Sequence, residues 1–350
     1  MSSVEAVRTR SGRILGPHKA ILDPKFDART VLTNTPWEFV SLWLKREKQH
    51  DALILWSQAR EFYDVAGAVS LQTAPLLQYY SFMNATKALL TAKGIAFDPH
   101  HGVKAANLRR SSNRIALANE GVKILQNGVL PALSRYLGES EPSTSHTLKE
   151  IFFNLPFVHR TYCLTYTSQR DMYVPLTSCR FVMDPTSRQS YFSAKISEDF
   201  FVRDIGKRLP STLELDTAAD PRAVRSVASV TLSSTRRPSS SDLTNLAELN
   251  RSLRTDIHYI NATQTLWYAK LNVPGPKKLS RFSLTLTLAA MHRLSEICRY
   301  RPLELAKFVS GRENWLLSEF VQSASRQFLD RIASEVTGYQ FLLPNVRPAS

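Results

Sequence analysis

Cysteine is scarce: three thiols, Cys163, Cys179 and Cys298, stand far apart with no C-x-x-C among them. That excludes a disulfide framework, and an odd set of separated thiols fits a reducing, cytosol-like compartment. Glycine is low, at 12 residues in 350, which excludes a collagen-like chain. Neither G-x-x-x-x-G-K-[ST] nor G-x-G-x-x-G occurs, so a glycine-rich phosphate loop is excluded as well. Long apolar runs are missing too. The longest stretch without a charge, residues 65–86, holds Gln72, Thr73, Pro75, Gln78, Ser81 and Asn84, a set that a lipid-facing span rarely accepts. The opening MSSVEAVRTR is followed by no apolar run, so no secretory signal is read. A cytoplasmic protein with no membrane partner is expected.

What is present is a globular composition with an excess of positive charge. Apolar residues make up 43% of the chain, too many to leave in water, and the formal net charge is +15. At this length two or three packed units are expected. The charge is uneven: Lys104, Arg109, Arg110, Arg114, Lys123 and Arg135 face a single acid, Glu120, between residues 101 and 137. Smaller clusters are Lys45-Arg46-Lys48, Arg236-Arg237, Lys277-Lys278 with Arg281, and Arg299 with Arg301. Scattered clusters also describe ordinary solvated faces; the alternative they point to is a phosphate-rich partner, nucleic acid or nucleotide.

Residues 1–35 show no sustained period and read as an N-terminal arm. From Trp37 the spacing is helical, with Thr35 as N-cap before Pro36, and a second helix carries Leu55, Ala59, Phe62 and Ala66. The segment Pro75–Lys93 is the clearest helix, apolar on two faces and closed by Gly94, so it belongs at the centre of a bundle. At 100° per residue Tyr80, Asn84, Lys87 and Thr91 form one polar stripe along it. After a loop over residues 95–113, helices are predicted over Ala116–Gln126 and Pro131–Leu137. Strands are predicted over Tyr162–Thr167, Met172–Met183, Tyr191–Ile205, Val224–Leu232 and His258–Leu271, with an exposed loop at residues 233–242. Helices resume near Leu284, stop at Pro302, and return over Trp315–Val336. The fold class is therefore α+β, mostly α. The chain divides into an arm (1–35), a helical domain (36–165), a strand-rich middle region (166–275) and a helical C-terminal region (276–350).

The run YYSFMNATKALL, with Gly94 and then His101-Gly102-Val103 behind it, resembles the central hairpin of HEPN domains. More of the chain resembles the YaaC-like family of bacterial proteins. The matching segments are PLLQYY (75–80), KALL (87–90), HGV (101–103), EGVKILQNGVLP (120–131) and LTLAAMHRLSEICRYRPLELAKF (286–308). The resemblance implies a HEPN-like bundle at residues 36–165. Many HEPN domains are metal-independent ribonucleases in defence systems, with an Arg-x(4–6)-His motif paired across a dimer: a cation for the phosphorane and an imidazole for proton transfer. This chain departs from that pattern. No Arg precedes a His at that spacing within residues 36–165, His159-Arg160 is reversed, and Arg13 and His18 straddle Gly16-Pro17. Arg251 and His258 fit the spacing outside the HEPN-like segment.

The expectation is a non-catalytic nucleic-acid-binding or complex-forming protein, an accessory in bacterial antiviral defence by that resemblance, needing no cofactor. Its RNA or DNA would meet Tyr80, Asn84, Lys87, His101, Lys104, Arg109, Arg110 and Arg114, with base stacking on Tyr80. A protein partner or a homodimer is compatible. One alternative is a ribonuclease effector using Arg251 and His258 or a pair completed across a dimer; another is a structural subunit meeting an acidic protein. Other constellations read as weaker. His159 and Cys163 fall one helical turn apart, as a nucleophile pair or as core. His100, His101 and His146 lack a Cys or carboxylate at zinc spacing, so no metal site is expected. Asp184 with Ser193-Ala194-Lys195 has a nuclease lysine but no acid before it.

Overall fold

The computed structural model describes residues 4–108, 115–233 and 238–344. The chain folds into two compact units. One comprises Met1–Asn34, Asp171–Val273 and Gly338–Ser350; the other comprises Thr35–Arg170 and Pro274–Thr337. The architecture is mixed α/β with antiparallel sheets. The arm belongs to the strand-rich unit and the late helices to the helical one, a sharing between distant segments that period and composition do not encode.

The strand-rich unit is built on an antiparallel sheet. Strands β1 (Glu5–Ala6) and β2 (Val31–Leu32) come from the arm, and β3 to β5 belong to the helical unit. Then follow β6 (Tyr173–Met183), β7 (Gln189–Ile196), β8 (Leu213–Leu215), β9 (Ala223–Ser226), β10 (Val230–Thr231), β11 (Ile257–Asn261), β12 (Thr265–Lys270) and β13 (Phe341–Leu342). The order is β11-β12-β6-β7-β9-β8, with β1 paired to β6 and β10 to β7; β13 pairs with β2 in parallel. Burial alternates along β7 with period two, which fixes its register: a one-residue slip would turn Phe192, Ala194 and Ile196 to water. Helix α7 (Ser240–Leu253) starts on a capping box between Ser239 and Asp242 and adds Leu246, Leu249 and Leu253 to the core with Phe181 and Val224. The arm is no loose lead: Val7, Leu15 and Phe26 are buried in that same core.

The helical unit holds α1 (Pro36–Arg46), α2 (His50–Ala66), α3 (Ala74–Ala92), α4 (Val129–Leu137), α5 (Leu148–Phe153), α6 (Pro156–Thr165), α8 (Ser283–Tyr300), α9 (Pro302–Val309) and α10 (Asn314–Thr337). A three-stranded sheet joins them, β3 (Val103–Asn107), β4 (Glu120–Ile124) and β5 (Ser145–Thr147), in the order β3-β4-β5. Thr35 caps α1, its hydroxyl accepting from Trp37 N–H. The central place expected for α3 holds, since α2, α4, α8 and α10 all pack on it, with Phe82 stacked on Phe328 at 4.2 Å.

Four local expectations are corrected. Ala116–Gln126 contains a strand, not a helix: β4 lies between β3 and β5, and Gly121 lets β5 approach so closely that a Cβ there would stand 2.5 Å from the His146 carbonyl. Sheet pairing overrides local preference at such a site. Within the expected loop 95–113, Val103–Asn107 is the partner strand. Tyr162–Thr167 is mostly helix, because α6 begins on Pro156 and buries Val158, His159, Tyr162 and Cys163 along one face. The expected strand Tyr191–Ile205 ends at Ile196, and two short 3-10 turns follow.

Candidate functional site

Helix α3 is buried along most of its surface, yet Tyr80, Asn84, Lys87 and Thr91 are each only half-buried. The polar stripe is therefore a seam by which a central helix reaches solvent. Tyr80 stacks on Phe62 with ring centroids 5.4 Å apart. Tyr79, one residue earlier, is turned inward and is 3% exposed.

His101 reaches this seam through a contact between two glycines. Gly102 (φ +71°) and Gly128 (φ +116°) lie backbone against backbone; a Cβ on Gly102 would strike the Pro131 ring and stand 2.8 Å from the Asn127 carbonyl. Only glycine combines that φ with that approach. Three backbone bonds lock the turn: Val129 N–H to His100 O at 2.9 Å, Leu130 N–H to His101 O at 3.2 Å, and Leu125 N–H to Gly102 O at 2.9 Å. The imidazole then meets the Tyr79 hydroxyl in a hydrogen bond through Nδ1.

The rest of the site comes from α8, whose side chains sequence reasoning had not assigned to it. His292, Glu296 and Arg299 follow at i, i+4 and i+7, one face of a helix, and that spacing was the available signal. The His292 ring stands edge-on to Tyr79 at 5.1 Å and 5.7 Å from the His101 ring, so the three rings form one cluster. His292 is 4% exposed, and its Nδ1 has no hydrogen-bond partner among the described residues. Glu296 Oε2 lies 3.5 Å away. Burial first, then His101, Arg293 and Arg299, hold the His292 pKa down to about 3, so the ring is neutral and that contact is not an ion pair. Burial also lowers His101, helped by Lys87 and Arg299, and lowers Lys87 itself. The Tyr79 hydroxyl is pushed well above the usual phenol range, mainly by burial. Exposed Arg299 donates to Tyr80 Oη at 3.3 Å. Two neutral imidazoles, a protonated phenol and two cations thus share one seam with the Glu296 carboxyl, which Arg293 holds at 3.4 Å, an arrangement able to bind an anion at the cations and to pass a proton.

Carboxylates separate the remaining basic clusters. Glu120, wholly buried on β4, pairs with Arg293 and lies 3.5 Å from Arg301, which Glu304 also holds. Arg281 pairs with Glu139 at 2.9 Å and Lys277 with Glu141 at 2.6 Å. Lys87 and Arg299 make no carboxylate ion pair among the described residues. The β3–β4 register places exposed Lys104 opposite exposed Lys123, a repelling pair that an anion between them would relieve. Arg109, Arg110 and Arg114, with Arg236 and Arg237, lie outside the described residues.

The other candidates stand elsewhere. In the strand-rich unit Arg251 is exposed on the last turn of α7, while His258 is 3% exposed with Nε2 hydrogen-bonded to Thr255 O at 3.0 Å. Cys163 Sγ does lie 3.4 Å from His159 Nε2, but both side chains are buried and His159 Nδ1 binds the Phe153 carbonyl at 3.0 Å. His146 accepts from Arg281 Nε at 3.1 Å, and burial and that cation hold its pKa at about 4. Lys195 is paired with Asp220 at 2.8 Å.

A family model described as YaaC-like Protein matches residues 27–336, most of both units. No curated protein and no solved structure matches the chain.

Proposed function

The chain belongs to the YaaC-like family, and on that premise we propose that it is a non-catalytic nucleic-acid-binding protein whose contact point is the α3–α8 seam. The observation that carries the reading is that Lys87 and Arg299 both act on His101 while Arg299 also donates to Tyr80, with neither Lys87 nor Arg299 ion-paired to a carboxylate among the described residues, on a chain of net charge +15. Cations outside carboxylate ion pairs beside an aromatic seam suit phosphate and base together. Lys104 and Lys123 extend the positive surface from the same glycine-locked turn. Labelled RNA and DNA oligonucleotides titrated at several salt concentrations test this. Affinity should fall steeply with salt, and the double variant Lys87→Ala, Arg299→Ala should bind about tenfold more weakly with a salt slope smaller by about 2. No retardation at low salt, or a flat salt response, ends the proposal.

A second reading, a metal-independent ribonuclease, draws support from the hydrogen-bonded Tyr79–His101 pair beside Arg299. Cleavage of labelled tRNA in the presence of a chelator, abolished by His101→Ala, would replace the non-catalytic proposal with this one. A cytoplasmic location rests on the separated thiols and the lack of long apolar runs, and the HEPN-like character of residues 36–165 and a role in antiviral defence rest on resemblance alone. Unchanged phage plating on cells lacking the gene would remove the last. An acidic protein partner would meet the same cations and is tested below as a competitor.

A further inference from the structure

Tyr300 closes α8 with 68% of its surface exposed, and Leu303 on the next turn is 80% exposed. The Arg299 guanidinium lies over the Tyr300 ring, 4.6 Å from its centroid, while donating to Tyr80 Oη at 3.3 Å. One cation therefore links the half-buried ring of the seam to a ring in solvent. The Tyr300 ring stands outside the core, yet its backbone is firmly held. Pro302 opens α9 directly behind it, Arg301 N–H bonds to Ile297 O at 2.9 Å, and the Arg301 side chain is drawn inward by Glu120 and Glu304.

Resting on the nucleic-acid reading above, we infer that the ligand is single-stranded and that one unpaired base stacks on Tyr300, with its phosphate on Arg299. A duplex hides the faces of its bases against each other, so an exposed ring backed by a guanidinium can be covered by a nucleic acid only where a base is unstacked. The cation over the ring adds a charge for the neighbouring phosphate. Tyr80, whose face is already covered by Phe62 and whose hydroxyl is engaged, serves here as support for Arg299 and not as the platform itself.

The experiment uses the full chain and fluorescence anisotropy with a labelled 12-nucleotide single-stranded RNA, the same sequence as single-stranded DNA, and a 12-base-pair duplex, at one salt concentration. The single strands should bind at least tenfold more tightly than the duplex. Tyr300→Ala should weaken single-strand binding about tenfold with an unchanged salt slope, Tyr300→Phe should restore it, and the fluorescence of Tyr300→Trp should be quenched as single strand is added. Because the ring is exposed, thermal unfolding of these variants should match the parent and separates a binding defect from a folding one. Equal affinity for duplex, or Tyr300→Ala binding like the parent, overturns this inference while leaving the nucleic-acid reading intact. Absence of binding to every oligonucleotide, or displacement of them by polyglutamate at matched charge, overturns both.

Discussion

His18 in the strand-rich unit and His292 in the helical unit are both buried, and burial, with nearby arginines, holds the pKa of each at about 3. Their surroundings differ. His18 Nδ1 accepts from Ala20 N–H at 3.0 Å; its own N–H donates to Asn250 Oδ1 at 2.8 Å, and its carbonyl accepts from Arg254 at 2.5 Å. Asn250 Nδ2 donates to Ala20 O at 3.1 Å, and Lys19 Nζ donates to Phe341 O at 2.7 Å. There, polar side chains tie three backbone segments together and are consumed by doing so. Around His292 the side chains meet each other, and among the described residues one imidazole nitrogen has no hydrogen bond and Lys87 and Arg299 make no carboxylate ion pair. The same titration shift thus marks framework in one unit and a candidate site in the other. Hydrogen-bond accounting separates the two cases; a pKa does not.

The sharpest way to break the comparison is at its hinge. Gly102→Ala must place a Cβ at positive φ against Pro131, and a loss of about 4 kcal/mol in urea unfolding is expected, with oligonucleotide binding lost as His101 is displaced. Near-parental stability would show that the glycine contact does not position the site. Asn250→Ala leaves a buried N–H and a buried carbonyl unpaired, so about 3 kcal/mol should be lost while affinity for nucleic acid in the folded protein stays unchanged. An affinity change there would mean that the buried nest is not framework alone.

The smallest effect sharpens it most, since one substitution is made in both units. His18→Phe removes the acceptor of Ala20 N–H and should cost about 2 kcal/mol at pH 7; His292→Phe removes no such bond and should cost under about 1 kcal/mol. In acid the two should agree. Each histidine has a folded pKa near 3 against an ordinary 6.5, so between those values the unfolded chain binds the extra proton and stability falls as pH falls, by about 1.4 kcal/mol per pH unit for each ring. Both variants should flatten that slope equally. Equal losses at pH 7 would erase the distinction between the units.

Local patterns made much of the helical unit legible. The apolar faces of α3, Thr35 before Pro36, Gly94 and Pro302 all state their positions in nearest-neighbour chemistry, as did the Tyr80–Lys87 stripe. The α7 cap, Ser239 and Asp242 ahead of a leucine period, is equally local, and the helix begins inside the loop expected over residues 233–242. Glu120 was a different matter. A lone acid in a basic run looks like a surface residue until Arg293, far along the chain, is seen to bury it in a strand.

By itself the amino-acid order determined that α3 is a central helix with one polar seam, that the chain carries a large positive excess, and that it resembles the YaaC-like family, because period, charge and motif are properties of short stretches. Tertiary structure alone decided that Tyr79, His101 and His292 form one cluster, which arginines the carboxylates neutralise, and that the arm and β13 complete the strand-rich unit. Those outcomes depend on which distant groups come within a few ångströms, and burial and Coulomb energies act at that range whatever the separation along the chain.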